Sequence, residues 1–255
     1  MLRYFFNKAV GRFSLIRPEV MICVPARVTG VERRAVRDAA LHAGARRAYL
    51  ISEPLAAAIG AKVPVADPSG NMIIDIGGGT TEVAVISLNG IVARSIRMGG
   101  NRFDDPIHNY IKRKYNLRIG DRTAEELKID IGTALPVEED LIMEIRGREE
   151  VAGLPRTVQI HANEMVEAIS EPLEAMIGAV RAVLEETSPE LSSDIVDRGM
   201  ILTGGGALLR NLAELLSEVT GVLCYVADDP LTCVAIGTSL ALEYFDVIRD
   251  SLEEL

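Results

Sequence analysis

Three cysteines and three histidines are all that this 255-residue chain offers to disulfide or zinc chemistry. Cys23, Cys224 and Cys233 are too few and too scattered for a disulfide framework, and no CxxC pair occurs. They read as free thiols of a reducing compartment, packed as small hydrophobes. His42, His108 and His161 lie far apart and there is no HExxH, which argues against zinc. Basic residues are also scarce, 27 against 37 acidic ones, for a formal net charge of -10. That balance disfavours a nucleic-acid partner. No apolar run is long enough for a membrane-spanning helix. The opening MLRYFFNKAVGRFSLIRP alternates apolar and basic residues, unlike a secretory signal.

Hydrophobic residues make up 48% and charged residues 25%, enough for one large core or two smaller ones in a soluble domain. A helix is expected over 3–13, a buried strand over 20–26, an amphipathic helix over 31–44 and a strand over 48–52. Glu53 and Pro54 open an alanine-rich helix, since proline suits a first turn. Strands over 72–76, 82–87 and 91–98 form an antiparallel meander, its second turn marked by Asn89-Gly90. Helices over 123–134 and 163–187, the latter bent at Pro172, flank strands over 141–147 and 156–162. The segment 194–221 reads as a strand, a glycine turn and a helix, and a helix from 231 closes the chain. Meander plus strand–helix units argue for an α/β fold in layers.

Glycine is where the sequence is rich. MIIDIGGGTTEVAVISLNG (72–90) and MILTGGGALLRNL (200–212) each set three glycines after an apolar run. Glycine admits the backbone close to a phosphate, and successive inward amides make an anion nest. Asp75 repels phosphate, so it makes sense beside a divalent cation. Neither loop continues into Lys-Ser or Lys-Thr, so this is no P-loop. DIGGGTTEVAVIS runs strand to strand, so it is no dinucleotide fingerprint. A tight structural turn is the plain alternative for either loop alone. The two turns are expected on opposite walls of one cleft. SEPLAAAIGA (52–61) and DDPLTCVAIGTSLALE (228–243) echo each other, and such small-residue helices can cross closely.

These stretches, with VERRAVRDAALHAGA, RTAEELK and SPELSSDIVDRG, resemble the bacterial actin-like MreB/Mbl proteins of the actin/Hsp70/sugar-kinase superfamily, along the whole chain. The resemblance implies an actin-like, ribonuclease H-like duplicated α/β fold. Residues 1–68, completed by a helix over 238–255, would be what remains of the first domain. Residues 69–237 would be the second, with a smaller subdomain at about 113–186. It implies ATP and Mg2+ as ligands. Asp75 would hold the magnesium through water, and Gly77, Gly78, Gly79 and Thr80 would face the phosphates. Glu53 would orient the hydrolytic water. Glu125 and Lys128 would contact ribose and base, although a surface ion pair explains their spacing equally well. Gly204, Gly205, Gly206 and Ala207 would form the adenosine-side loop. Leu15 and Ile16 would touch the inner membrane surface, though two apolar loop residues are ordinary by themselves.

Further implications are self-association into filaments, cell-wall elongation proteins as partners, and a cytoplasmic place at the inner face of the membrane. The DLGTAN-like strand–turn–strand with which members begin has no counterpart, so the first domain is expected to be truncated at its N-terminus and hydrolysis impaired. Ser52 and Asn101 stand where the family pattern usually carries acids. A small-molecule kinase of the same superfamily and a non-catalytic nucleotide-binding module are the alternatives.

Overall fold

The computed structural model describes residues 1–11, 17–88, 90–139 and 141–245. Leu15, Ile16 and Asn89, three residues singled out above, lie outside that set, as does the end of the helix expected over 238–255. Helix α1 (Leu2–Val10) buries none of its residues. Strand β1 (Glu19–Val24) runs into helix α2 (Gly30–Ala43), and β2 (Arg47–Ser52) returns parallel to β1. Helix α2 starts where it does because Thr29 Oγ1 accepts the Glu32 amide while the Glu32 carboxylate accepts the Thr29 amide at 2.8 Å. That reciprocal cap satisfies two otherwise orphaned donors. Gly44, at φ 118, ends the helix in the left-handed region.

Helix α3 (Glu53–Gly60) carries Pro54 in its first turn, where a missing amide leaves no bond unmade. The expected meander follows: β3 (Asn71–Ile76), β4 (Thr81–Ser87) and β5 (Gly90–Ile96), each antiparallel to the next. Next come α4 (Asp104–Tyr115), β6 (Leu117–Arg118), α5 (Asp121–Asp130), β7 (Ile142–Glu149) and β8 (Pro155–His161). Strands β6, β7 and β8 form their own antiparallel sheet.

The long helix expected over 163–187 is two helices, α6 (Ala162–Ala168) and α7 (Ser170–Glu186), joined at Ile169. Pro172 falls in the first turn of α7, where proline is tolerated, so it marks a beginning and not a bend. Helix α8 (Pro189–Arg198) takes in residues 194–198, where a strand is expected, and the strand itself begins only at Met200. Ser188 caps the helix, with Pro189 in the first turn. Strand β9 (Met200–Thr203), helix α9 (Leu212–Thr220), β10 (Cys224–Val226) and helix α10 (Cys233–Glu243) complete the described chain.

The central sheet has the order β10-β9-β3-β4-β5, with β9 parallel to β3 and β10 parallel to β9. Every residue of β3 and β4 is buried, because layers cover both faces. One face, through Met72, Ile74, Val83 and Val85, joins a core shared with α4–α9 and the β6–β8 sheet. The other, through Ile73, Ala84 and Ile86, packs on α3, α10 and β2. Helices α3 and α10 cross at their glycines. A Cβ on Gly60 would lie 1.8 Å from the Cys233 carbonyl oxygen, and one on Gly237 would lie 1.8 Å from that of Ala56. This is the close crossing that the sequence echo suggested. Among the described residues no helix is long and apolar enough to cross a membrane.

Candidate functional site

Parallel pairing of β3 with β9, in the register Asp75↔Thr203, sends both glycine turns off the same edge of the sheet. They leave neighbouring strands and flank one cavity side by side, so the expectation of opposite walls is corrected. The carboxyl ends of parallel strands are where α/β sheets hold ligands. The cavity measures ≈ 400 Å³. Six of the expected residues line it: Gly77, Gly78, Glu125, Lys128, Gly205 and Gly206. Gly79, Thr80, Gly204 and Ala207 belong to the same two turns without lining it, and Asp75 and Glu53 also lie outside its lining. A cavity of ≈ 450 Å³ elsewhere, beside Lys62, Arg198 and Tyr225, contains none of the expected residues.

The first turn is held open by its own bonds. The Gly77 amide donates to the Thr80 carbonyl at 2.9 Å, which leaves the Gly78 and Gly79 amides without partners among the described residues. A second glycine pair braces it: the Gly100 amide donates to Gly77 O at 2.9 Å and the Asn101 amide to Gly78 O at 2.8 Å. A Cβ on Gly99 would sit 2.6 Å from the Gly77 oxygen, so only glycine fits there. The second turn is as tight. Gly204 has φ +80, and a Cβ on Gly206 would lie 2.1 Å from Ile76 Cγ2. A side chain at either place would run into Ile76 at the end of β3, so the second turn passes this close to the first only as glycine.

Lys128 does not pair with Glu125. Its Nζ donates to Asp104 Oδ1 at 2.7 Å and to Gly100 O at 2.9 Å, bridging α5 to the brace under the turn. The surface ion pair is thus absent, and Glu125 stands exposed at the cavity with no ion partner among the described residues. Phe103, Leu208, Leu209 and Leu231 add apolar wall. Sequence reasoning missed the role of Gly99 and Gly100 as a brace, although this third glycine run, ahead of a helix, was there to be read.

Beside the turn lie three carboxyls. Asp75 is buried, and burial pushes its pKa up against the Thr203 hydroxyl, which donates to Oδ1 at 2.8 Å. Its other oxygen has no partner among the described residues. Glu82, directly across the ladder from Asp75, is buried too, and burial raises its pKa. Glu53 is pushed up to about 7, first by burial and then by the charges of Asp75 and Glu82. Among the described residues no three His, Cys, Asp or Glu are placed to cage a metal. Magnesium does not require a cage: it keeps waters and takes one or two carboxylates plus phosphate oxygens. The free oxygen of Asp75 beside the unpaired turn amides fits that donor set.

A family model described as MreB/Mbl protein matches residues 1–250. The cell shape-determining protein MreB of Escherichia coli K12 is 54% identical over 250 residues, 97% of this chain and 72% of that protein. The cell shape-determining protein Mbl of Bacillus subtilis strain 168 is 48% identical over 247 residues, 96% of this chain and 74% of that one. Among solved structures, MreB5 of Spiroplasma citri bound to ADP matches with a TM-score of 0.90 at 36% identity, over 96% of this chain and 74% of that one. The same protein bound to AMPPNP matches with a TM-score of 0.89.

Proposed function

Since the chain belongs to the MreB/Mbl family, we propose that it is an ATP-binding, actin-like cytoskeletal protein that assembles into filaments and helps to set cell shape. The observation that carries this reading is the single cavity flanked by both glycine turns, with Glu125 and Lys128 on its rim. The Spiroplasma relative was solved with ADP and with AMPPNP, nucleotides of the class such a cavity suits.

In this reading the unpaired amides of Gly78 and Gly79 and the Thr80 hydroxyl hold phosphate oxygens. Gly204–Ala207 lie against the nucleoside, Glu125 and Lys128 contact ribose and base, and Leu208, Leu209 and Leu231 give the base an apolar wall. Asp75 would hold Mg2+ through water, and the ion would neutralise phosphate charge. Glu53 orients the water that attacks in line, and its raised pKa suits a weak base near neutral pH. The filaments would lie at the inner face of the cell membrane, with Leu15 and Ile16 as the contact and cell-wall elongation proteins as partners. A sugar kinase needs a carboxylate base facing its substrate; among the described residues the one acid lining the cavity is Glu125, which this reading assigns to the nucleoside.

Fluorescent ATP analogue titrated into the purified chain tests the reading. Binding is expected to require the cavity, and Lys128→Met to weaken it about tenfold by removing a charged donor. Sedimentation with nucleotide and liposomes reads assembly. Binding without sedimentation would favour a nucleotide-binding module, and phosphorylation of an added sugar a kinase. No binding at all would end the proposal.

A further inference from the structure

Glu82 is a carboxylate in a place that disfavours one. It sits in β4, a strand without an exposed residue, and is itself 1% exposed. Its cross-strand partner is Asp75, and it repels both Asp75 and Glu53. No cation pairs with it among the described residues. Burying a charge among like charges is costly unless it is well hydrogen-bonded, and an apolar side chain of similar volume is often the more stable choice. A reason other than stability is therefore needed.

The two bonds that Glu82 makes supply one. Oε1 accepts the Ser95 hydroxyl in a short contact within the central sheet. Oε2 accepts the Ala26 amide at 3.2 Å, from the loop between β1 and α2. The β1–β2 sheet and the central sheet share no ladder, so this bond ties them together at the site. Each end of the tie leads to a proposed site element. Thr80 and Thr81 immediately precede Glu82. On the other side, Ala26 is two residues past Val24, which pairs with Ser52 in the parallel ladder, and Ser52 precedes Glu53.

We propose that Glu82 is a positioning residue: it pins the loop after β1 to the glycine turn and so sets how Glu53 faces the phosphates. This rests on the nucleotide reading above. Nucleotide at the turn then stiffens residues 24–30 through Glu82, although none of them lines the cavity.

Hydrogen exchange of segment 24–30, with and without nucleotide, tests this beside affinity for a fluorescent ADP analogue. In the unaltered chain nucleotide slows exchange there. Glu82→Leu, which fills the space but accepts no bond, should speed exchange about tenfold, abolish the nucleotide effect and change affinity less than about threefold. Glu82→Gln should behave like the unaltered chain, because its amide oxygen can accept from Ala26 and its NH2 can donate to the Ser95 hydroxyl. Ser95→Ala frees one oxygen and should give an intermediate rate, a readout that stands if the leucine variant does not fold. Unchanged exchange in Ser95→Ala and Glu82→Leu overturns the proposal, as does a Gln variant that behaves like Leu. Absence of analogue binding by the unaltered chain overturns the nucleotide reading itself; normal binding with unchanged exchange overturns only the role of Glu82.

Discussion

Glu53 is the first residue of α3, where the helix dipole favours a carboxylate, yet its pKa is pushed up to about 7 from the ordinary 4.5. A dipole contributes about 0.3–1 kcal/mol, which moves a pKa by less than about 1. Burial and the charges of Asp75 and Glu82 win. The sign for stability follows from proton counting. Below the ordinary 4.5 the carboxyl is protonated in folded and unfolded chains alike. Between 4.5 and about 7 the unfolded chain sheds its proton while the folded chain keeps it, so stability falls as pH rises through that window. Above it the penalty is constant. Glu53→Gln removes the penalty. Its melting temperature should match that of the unaltered chain near pH 4.5 and exceed it by roughly 2–6 °C at pH 8, as thermal scans across pH would read. If Glu53 orients water as proposed, phosphate release should fall in the same variant, because a glutamine there has no basic form. A group that lowers stability at the pH where it works is what a functional site produces. An equal shift at both pH values would mean that Glu53 is not ionised against its surroundings.

Helix pairs give the clearest test at the scale of elements. Gly60 of α3 and Gly237 of α10 each touch the other helix's backbone where a methyl group would stand 1.8 Å from a carbonyl oxygen. Neither backbone can give way without moving a helix. Gly237→Ala should therefore cost about 3 kcal/mol or more, a fall of roughly 6–12 °C for a chain of this size. Gly178→Ala on the exposed face of α7, with nothing within 4 Å of the new methyl, should hold or raise the melting temperature by helix propensity alone. This crossing was legible as two Ile-Gly helices with like beginnings, because close approach demands small residues at fixed places. The meander was legible too, since alternating apolar runs and a turn dipeptide are local signals. What escaped was set by neighbours. Periodicity runs unbroken through Ile169, so Pro172, the local sign of a new start, reads equally well as a bend in one long helix. Helix α8 did carry a local sign, Ser188-Pro189-Glu190, an N-cap with proline at the first helical position. The placement of both glycine turns at one sheet edge depends on β9 pairing parallel to β3, 128 residues apart at Asp75 and Thr203. No run of sequence states that pairing.

At the scale of the whole molecule, charge and exposed apolar surface pull assembly in opposite directions. Identical subunits each carrying a formal -10 repel one another over the range that salt leaves unscreened. That range is about 30 Å at 10 mM ionic strength and about 8 Å at 150 mM. Large apolar side chains nevertheless stand exposed: Val151 and Leu154 at the tip of the β7–β8 hairpin, and Leu223 just before β10. Burial of such groups is short-ranged and nearly indifferent to salt at these concentrations. If subunits meet chiefly through apolar contacts, screening removes an opposing term and leaves the favourable one in place. The critical concentration for sedimentation should therefore fall severalfold, roughly 3–10-fold, between 10 and 150 mM salt at constant nucleotide and magnesium. Contacts built on ion pairs would respond the other way, with the critical concentration rising over the same interval. Replacing Val151 by Asp separates the two cases again. On an apolar interface through the hairpin tip it should raise the critical concentration at both salts, with affinity for nucleotide untouched because no residue of the tip lines the cavity. An unaltered critical concentration in that variant would remove the hairpin tip from the contact and leave the salt dependence to be carried by another face.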